Sequence, residues 1–337
     1  MRRGYRAAAA VALAAFGVVL TTPNAASAQA GGRAAILLEL PAGARSAALG
    51  GAYSAADDAD ALFSNPAQVD AAADRAGRVA AAASFGRYLQ QSALVAASAT
   101  LRAWAGSVGV GVRALDYASE PEVECADPPL CTLGRETGRQ VGANDLAMTA
   151  AYAAGSARLR AGGSVTLVQQ SVAGVSGRAL SLDVGASGLV APGTTIAVAT
   201  QQPVGEMRTG SRSAPLPRAI RVGVAHEREV AAALGLTIVG EIRRQSGAVG
   251  VTPAGGAELR WLGAASPFDL AARVGAAARS RGGDAQPLSV GGSVVYNATP
   301  VAGGALRERE QRVAVDYAFQ SFRDLGGVHR VGVRWWR

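Results

Sequence analysis

The chain has 337 residues, a formal net charge of +8 and a mean hydropathy of +0.17, and all of its 33 basic residues are arginine. These arginines are scattered rather than clustered, which argues against nucleic-acid binding. Hydrophobic residues make up 49% of the chain, yet beyond residue 30 no apolar run reaches the length of about 18 residues that marks a membrane-spanning helix. The apolar residues therefore belong either to a soluble core or to strands with one lipid-facing side.

Residues 1–30 predict a secretory signal peptide. They begin with arginines, continue with an apolar stretch over residues 7–20, and offer small residues suited to cleavage after Ala28 or Ala30. The apolar stretch is shorter than the roughly 20 residues of a spanning helix, which favours a cleaved leader over an uncleaved anchor. The chain is therefore predicted to be exported.

Residues 31–76 are predicted to form a plug inside a barrel, and the alanine-rich stretch 33–68 within them predicts two short helices followed by a stop. Gly50-Gly51 reads either as a helix end with a tight link or as a hinge. Asp57-Asp58 reads as a helix cap with polar contacts to the barrel wall, or alternatively as a site for ion or substrate chemistry. Asn65-Pro66 is a dipeptide that starts turns.

From residue 77 onward the sequence alternates between apolar and polar or small residues, the period of a strand. Many of the stretches approach or exceed the roughly 9 to 11 residues that a tilted strand needs to cross a membrane. We predict about fourteen strands, near residues 77–87, 91–101, 104–116, 143–154, 158–171, 178–190, 194–202, 217–228, 231–243, 248–261, 267–280, 287–298, 311–320 and 328–336.

The connections between these strands are expected to alternate in length, with short periplasmic turns and long outer loops. The two long polar segments 117–142 and 203–216 are expected to be outer loops. The segment 299–310 breaks the alternation as a long turn at the other end. A soluble secreted β-sandwich remains the alternative fold, although about fourteen long strands exceed its usual size.

Cys125 and Cys131 are the only cysteines, and in an exported chain such a pair predicts a disulfide. A metal site would need further ligands nearby, and His226 and His329 lie far away in sequence. No enzyme signature is present: the chain lacks a G-x-S-x-G elbow, a phosphate loop with lysine and an H-E-x-x-H motif. The sequence therefore predicts no enzyme, no cofactor and no metal.

Two segments carry a family resemblance. GARSAALGGAYSAADDADALFSNPAQ and the terminal VDYAFQSFRDLGGVHRVGVRWW resemble the PorV/PorQ family of outer-membrane barrels, which are similar to the fatty-acid transporter FadL. The matching plug-motif residues are Gly43, Arg45, Gly50, Gly51, Ala52, Asp57, Asp58, Asn65, Pro66 and Ala67. Ser46 and Gln68 depart from the motif, standing where the family usually has alanine and glycine.

The resemblance implies a transmembrane antiparallel β-barrel of about fourteen strands (residues 77–337) with a partly helical plug (residues 31–76) in its lumen. It implies the outer membrane as location, its lipid and the barrel-assembly machinery as partners, and uptake or passage of hydrophobic small molecules as function. The alternative is a secretion-associated barrel, of the type IX kind, that binds exported proteins. Trp335 and Trp336 are expected to serve as the C-terminal assembly signal, because the last residue is Arg337.

Overall fold

A computed structural model describes residues 34–89, 92–126, 131–210, 212–246, 250–263, 266–278, 288–298, 311–322 and 326–337. The predicted signal peptide and the predicted connection 299–310 lie outside these ranges. Within them, no helix has the length and apolar character needed to cross a lipid bilayer.

The described residues form sixteen strands. Fourteen of them close into one antiparallel barrel, in which β1 pairs with β16 and β5 pairs with β6. This confirms the predicted fold class and strand number, and it replaces the sandwich alternative with a single closed sheet. The barrel strands are Val79–Arg87 (β1), Ala93–Ala103 (β2), Gly106–Cys125 (β3), Gly134–Ser156 (β4), Leu159–Val172 (β5), Val175–Ala191 (β6), Thr194–Gln201 (β7), Ala219–Ala231 (β10), Leu234–Gln245 (β11), Thr252–Trp261 (β12), Phe268–Ala277 (β13), Leu288–Ala298 (β14), Gln311–Ser321 (β15) and Gly327–Trp336 (β16).

The remaining two strands, Glu206–Thr209 (β8) and Arg212–Pro215 (β9), form a hairpin in the connection between β7 and β10. The hairpin is joined to the barrel through the pairs Gly177–Thr209 and Arg178–Arg208 on β6. The sequence predicted a loop over 203–216, because arginine, serine and proline conceal two four-residue strands. The structure corrects that prediction.

The barrel is apolar outside and polar inside. On β16, Val331 and Val333 are 50% and 45% exposed, whereas Arg330 and Arg334 are buried. The same inversion recurs on other strands, where outward side chains are mainly aliphatic or aromatic and inward ones are polar, charged or small. A soluble protein would place these side chains the other way round, so the outer surface is suited to contact with lipid.

Strands β3 and β4 extend well beyond their neighbours. β2 pairs with β3 only as far as Asp116, and β5 pairs with β4 only as far as Ala143. The parts of β3 and β4 beyond those pairs form a two-stranded ribbon, where the sequence predicted a loop over 117–142. The ribbon is rich in glutamate and arginine and lacks an apolar face, so its alternation was concealed.

At the end of the barrel away from the ribbon, four connections are two-residue turns, at 104–105, 157–158, 192–193 and 232–233. Short turns were predicted at this end. The ribbon and the β8–β9 hairpin both lie at the opposite end. By the usual asymmetry of such barrels, we call the end with the short turns the inner end and the other the outer end.

Residues 34–76, which we call the plug, lie in the lumen and are buried over most of their length. They form two short helices, Ala44–Ala48 (α1) and Gln68–Ala76 (α2), and two 3-10 turns, Ile36–Glu39 and Ala59–Phe63. Helix α1 packs against β13 to β16, and α2 packs against β1 to β5. The first predicted helix corresponds to α1, whereas the second, expected between Asp58 and Asn65, is only a 3-10 turn, and α2 begins after the predicted stop at Asn65-Pro66.

Candidate functional site

The lumen of the barrel is the candidate site, and its outer end holds a compact apolar cluster. Six large side chains there are no more than 2% exposed. Two come from the start of the plug, two from the barrel wall, and two from the β8–β9 hairpin and the residue after it. We call this set the outer cluster: Leu37, Leu38, Leu94, Leu115, Met207 and Leu216.

Residues 34–43, which we call the arm, bring the plug's leucines into the outer cluster. The Ala34 N–H donates to the Pro215 carbonyl at 3.2 Å, which ties the arm to the hairpin. Arg113 donates to the carbonyls of Leu37 and Leu38 at 3.4 and 3.5 Å. Arg330 donates to the carbonyls of Pro41 and Gly43. The arm is therefore held by carbonyl hydrogen bonds and apolar packing.

The middle of the plug is held differently, by buried ion pairs. Arg45 on α1 reaches Glu258 of β12 at 2.9 Å and Asp58 at 3.2 Å. Glu258 also binds Arg273 of β13. Burying a charge is costly unless it is paired and hydrogen-bonded, and here each charged group has a partner of opposite sign. The motif arginine thus fastens the plug to the wall.

The network continues along the wall through Asp316 on β15. Its carboxylate accepts from Arg334 at 2.6 Å and from Arg273 at 2.9 Å. Arg334 lies 3.6 Å from Asp58, which returns the network to the plug. Three arginines and three carboxylates therefore form one buried cluster across the plug and the wall.

Helix α2 is anchored in the same way at the inner end. Asp70 is 1% exposed and accepts from Arg102 at 3.1 Å, from Arg160 at 3.1 Å and from the Ser107 hydroxyl at 2.9 Å. Strands β2, β3 and β5 thus converge on one carboxylate of the plug, which fixes the helix against the barrel wall.

The motif's Asn65 and Pro66 lead into α2. The Asn65 side chain donates to the Ser54 carbonyl at 3.0 Å and accepts from the Ala67 N–H at 3.0 Å. Gln68, which departs from the family motif, begins the helix, and its side chain donates to the same Ser54 carbonyl. No positive φ is needed at position 68, so glutamine fits there.

The other departure, Ser46, has a structural use. Its hydroxyl accepts from the Gly43 N–H at 3.1 Å and donates to the Gly43 carbonyl at 2.9 Å. The Ser46 side chain thus satisfies the backbone of the residue before α1, which is one half of a capping box, because Gly43 has no side chain to return the bond. An alanine at position 46 would leave the Gly43 N–H without that acceptor.

Gly50 and Gly51 end α1 in the left-handed region, with φ of +69° and +78°. A Cβ at Gly50 would lie 2.6 Å from the Ala276 carbonyl oxygen, whereas one at Gly51 would meet nothing closer than 3.5 Å. Both positions therefore need a residue that adopts positive φ without strain. In addition, the missing side chain of Gly50 lets the plug backbone approach the barrel wall closely. Ala52, which follows, is buried in an apolar cluster with Leu49 and Tyr53.

Asp57, Asp58 and Asp60 have distinct roles. Asp58 precedes the second 3-10 turn but makes no capping hydrogen bond with its side chain, and it accepts instead from Arg45 and Tyr53. The capping prediction is therefore wrong for Asp58, since the buried arginine is the stronger partner. Polar contact with the barrel wall was also predicted for Asp57-Asp58. Asp58 makes such a contact, because it lies 3.6 Å from Arg334.

The environment moves the pKa values of the flanking acids in opposite directions. Burial raises the pKa of Asp60 to about 7, and the charge of Asp58 adds to the rise. Burial alone would also raise the pKa of Asp57, but Arg75 and Arg45 outweigh it and hold that pKa below its usual value. Asp57 is thus a stable anion, while Asp60 titrates near neutrality.

Two cavities lie at the inner end, beneath the plug. Their volumes are about 420 and 310 Å³, and both are lined by Arg45, Asp57 and Arg75. Arg75 binds Asp57 and also reaches Glu227 of β10 at 3.1 Å. These ion-paired side chains border both cavities.

The cysteines lie away from the lumen, whereas Trp336 borders one of the two inner cavities. Cys125 and Cys131 are joined at the tip of the ribbon, with their Cα atoms 5.0 Å apart. Trp336 lies under the Arg334 guanidinium, 4.9 Å from its ring centroid. Its role as an assembly signal stays a prediction. Among the described residues, no group of three or more histidine, cysteine or acidic side chains is arranged to hold a metal ion.

The sequence did not assign a role to the wall residues that hold the plug or complete its ion-pair network, among them Arg113, Glu258, Arg273, Asp316 and Arg330. A signal for them exists, since each is a charged residue at an inward position of an alternating strand. Their pairing could not be read from the sequence, because partners such as Arg45 and Glu258 are 213 residues apart.

No protein-family model and no curated protein matches the chain. Its fold is similar to that of several solved structures. The Pseudomonas putida toluene transporter TodX is 12% identical, covers 88% of this chain and 98% of its own, and gives a TM-score of 0.52. The chain has the fold of such channel barrels.

Two further solved structures agree. The Ralstonia pickettii toluene transporter TbuX is 13% identical over 88% of this chain and 97% of its own, with a TM-score of 0.51. The CymD monoaromatic hydrocarbon channel is 12% identical over 87% and 96%, also with a TM-score of 0.51. At such identities the likeness concerns the fold, and the PorV/PorQ resemblance remains a prediction.

Proposed function

We propose that the protein is an outer-membrane channel that passes hydrophobic small molecules. The observation that carries the proposal is the outer cluster, a group of six large apolar side chains buried together at the outer end of the lumen. A pore for polar solutes has no use for six large buried apolar side chains at its entrance, whereas a hydrophobic compound gains by leaving water there.

Two further observations support the proposal. The apolar outer surface suits a barrel surrounded by lipid, and the export signal predicted from the sequence agrees with an outer-membrane location. The similar solved structures are described as toluene transporters and a monoaromatic hydrocarbon channel. These descriptions also agree with a protein that is not an enzyme. Neither the fold nor the comparisons support the secretion-associated alternative.

Uptake into whole cells tests the proposal, because an intact outer membrane restricts hydrophobic compounds. Cells lacking their own hydrocarbon channels would express the wild-type chain, a Leu37→Asp variant, or a control with Val123→Asp on the exposed ribbon. We expect the wild type and the control to accelerate toluene uptake and Leu37→Asp to lose most of that gain. Toluene uptake equal to that of cells without the protein would contradict the proposal.

Glucose serves as the polar probe in the same cells. Its uptake should not change with any of the three proteins. Faster glucose uptake with the wild type would indicate an open polar pore and would also count against a hydrophobic channel.

A further inference from the structure

The larger of the two inner cavities, of about 420 Å³, lies between the plug and the part of the wall formed by β12 to β16. Arginines line it from both sides. Those of the plug, Arg45 and Arg75, are ion-paired, and so are Arg273 and Arg334 of the wall. Arg260 of β12 lines the same cavity and differs from these four.

The Arg260 side chain makes no hydrogen bond and no ion pair with any residue that the structure describes. Its Nε is buried, so bulk water does not reach that donor. Asp269 of the neighbouring strand β13 also lines the cavity, but its carboxylate accepts from the Gly263 N–H at 3.0 Å and forms no ion pair with Arg260. A buried donor without an acceptor costs free energy, and an acceptor within the cavity would remove that cost.

Two further donors line the same cavity. The Ser293 hydroxyl of β14 accepts from Arg273 at 2.9 Å, and its own hydrogen has no acceptor among the described residues. The indole N–H of Trp336 on β16 also lacks an acceptor in the described part of the chain, and indole can only donate. Donors from three strands, β12, β14 and β16, therefore border one cavity. A ligand that complements them carries acceptors and negative charge.

We propose that this inner cavity binds a phosphate ion, or a similar tetrahedral oxyanion, through Arg260, Ser293 and Trp336. The planar fork of an arginine matches phosphate oxygens as it matches a carboxylate. Phosphate suits the cavity better than a planar carboxylate, because its oxygens accept from several directions and the donors come from separate strands. The ion is free phosphate rather than a lipid headgroup, because the cavity lies inside the barrel whereas lipid contacts the outer surface.

The bound ion would connect the plug to the wall. Arg45 and Arg75 of the plug border the cavity opposite Arg260, so an anion between them is attracted from both sides. A ligand that binds only the folded protein stabilises it by mass action, and phosphate should therefore stabilise the seated plug. The site lies at the opposite end of the lumen from the outer cluster and does not depend on the proposed function.

Calorimetric titration of the purified full-length protein with inorganic phosphate, in a neutral detergent, tests the site. We expect the wild type to bind phosphate and Arg260→Gln to weaken that binding by about tenfold, the usual effect of losing a hydrogen bond between charged groups. Trp336→Phe keeps the aromatic ring but removes the N–H, and it should weaken binding by about threefold. Arg139→Gln, which removes an exposed arginine of the ribbon, should leave the affinity unchanged.

Thermal unfolding of the wild type gives a second test that needs no variant. We expect phosphate to raise the unfolding temperature above that measured in sodium chloride of equal ionic strength, and the rise to grow with phosphate concentration. Without phosphate, Arg260→Gln should unfold at the wild-type temperature, because the Arg260 side chain has no partner to lose among the described residues. Weaker phosphate binding in that variant would then not be a consequence of unfolding.

Three results would overturn the proposal. Phosphate could stabilise the wild type no more than sodium chloride does. Arg260→Gln and Arg139→Gln could affect phosphate binding equally, which would place the bound ion elsewhere. Phosphatidylglycerol added to the micelles could stabilise the protein where inorganic phosphate does not, which would identify a lipid headgroup as the ligand. None of these results bears on the hydrophobic channel, which toluene uptake tests separately.

Discussion

Asp58 in the plug and Arg334 in the last strand lie 3.6 Å apart, although 276 residues separate them in the chain. Between them, Asp58 and Arg334 connect the plug to the wall network of Asp316, Arg273 and Glu258. The plug is therefore held by buried charge as well as by apolar packing.

Loss of one partner from this network should be strongly destabilising. Glu258→Gln removes the carboxylate that Arg45 and Arg273 share, and it leaves both guanidinium groups buried with fewer counter-charges. We expect a loss of about 3 to 5 kcal/mol in the free energy of unfolding, measured by denaturant titration in detergent. The matched control is Glu122→Gln on the exposed ribbon, which should leave that free energy close to the wild-type value, because exposed ion pairs contribute little. If the two variants change the free energy of unfolding equally, the buried network does not stabilise the protein more than an exposed ion pair does.

Asp60 should make stability depend on pH. Its folded pKa of about 7 lies above its unfolded value of about 3.9. The folded state therefore binds the proton more tightly, and its stability should fall as pH rises from about 4 to about 7, by up to about 1.4 kcal/mol per pH unit. Denaturant titrations at several pH values would measure the slope. Asp60→Asn should flatten the dependence of stability on pH. An unchanged slope in that variant would mean that another titratable group causes the dependence.

Alanine substitutions at Gly50 and Gly51 separate the cost of backbone strain from the cost of a steric clash with the barrel. Both residues have positive φ, so alanine is strained at either position, by about 1 kcal/mol. At Gly50 the added Cβ also meets the Ala276 carbonyl oxygen. We expect Gly50→Ala to lower the free energy of unfolding by clearly more than Gly51→Ala does. If both variants lose the same free energy of unfolding, the backbone of the barrel at Ala276 must shift to make room for the added Cβ.

The hinge interpretation of Gly51 can be tested with the same variant. If the plug bends there during transport, Gly51→Ala should slow toluene uptake while the barrel still folds. Gly138→Ala on the ribbon is the matched control, because Gly138 also has a positive φ, of +77°, with nothing within 4 Å of an added Cβ. Uptake reduced equally by both variants would point to general instability rather than to a hinge.

The disulfide should matter only locally. Cys125 and Cys131 lie at the tip of the ribbon, beyond the last pairs that link β3 and β4 to the rest of the barrel. Cys125→Ser with Cys131→Ser should therefore increase proteolysis of the ribbon but leave toluene uptake and barrel unfolding unchanged. Slower uptake in this double variant would show that the ribbon takes part in transport.

The sequence was sufficient to predict the barrel because lipid-facing strands repeat a period of two, as in Val331, Val333 and Trp335 of β16. It failed where that constraint is absent. Strands β3 and β4 continue past Asp116 and Ala143 without an apolar face, and the β8–β9 hairpin has strands of only four residues. In the ribbon and in the β8–β9 hairpin, the strands form because of the strands they pair with. The alternation of apolar and polar residues within each segment does not reveal those partners.

The lumen was harder to predict than the wall. The plug motif indicated where Arg45 and Asp58 belong, but their wall partners were simply charged residues within strands. The role predicted for Asp58 failed because capping is a local interaction, whereas a buried arginine competes for the same carboxylate with a stronger, long-range one. Arg113 belonged to no motif, and Arg330 lay within the C-terminal segment of the resemblance without a role assigned to it.

The distribution of the plug's partners along the chain has a consequence for biogenesis. The wall partners of Arg45 and Asp58, and the residues that pair with those partners in turn, lie on β12, β13, β15 and β16, near the end of the chain. During export the plug emerges before any of them, so Arg45 and Asp58 have partners only within the plug until those strands arrive. Closure of β1 against β16 and seating of the plug are thus coupled, and a chain truncated before β15 would have neither.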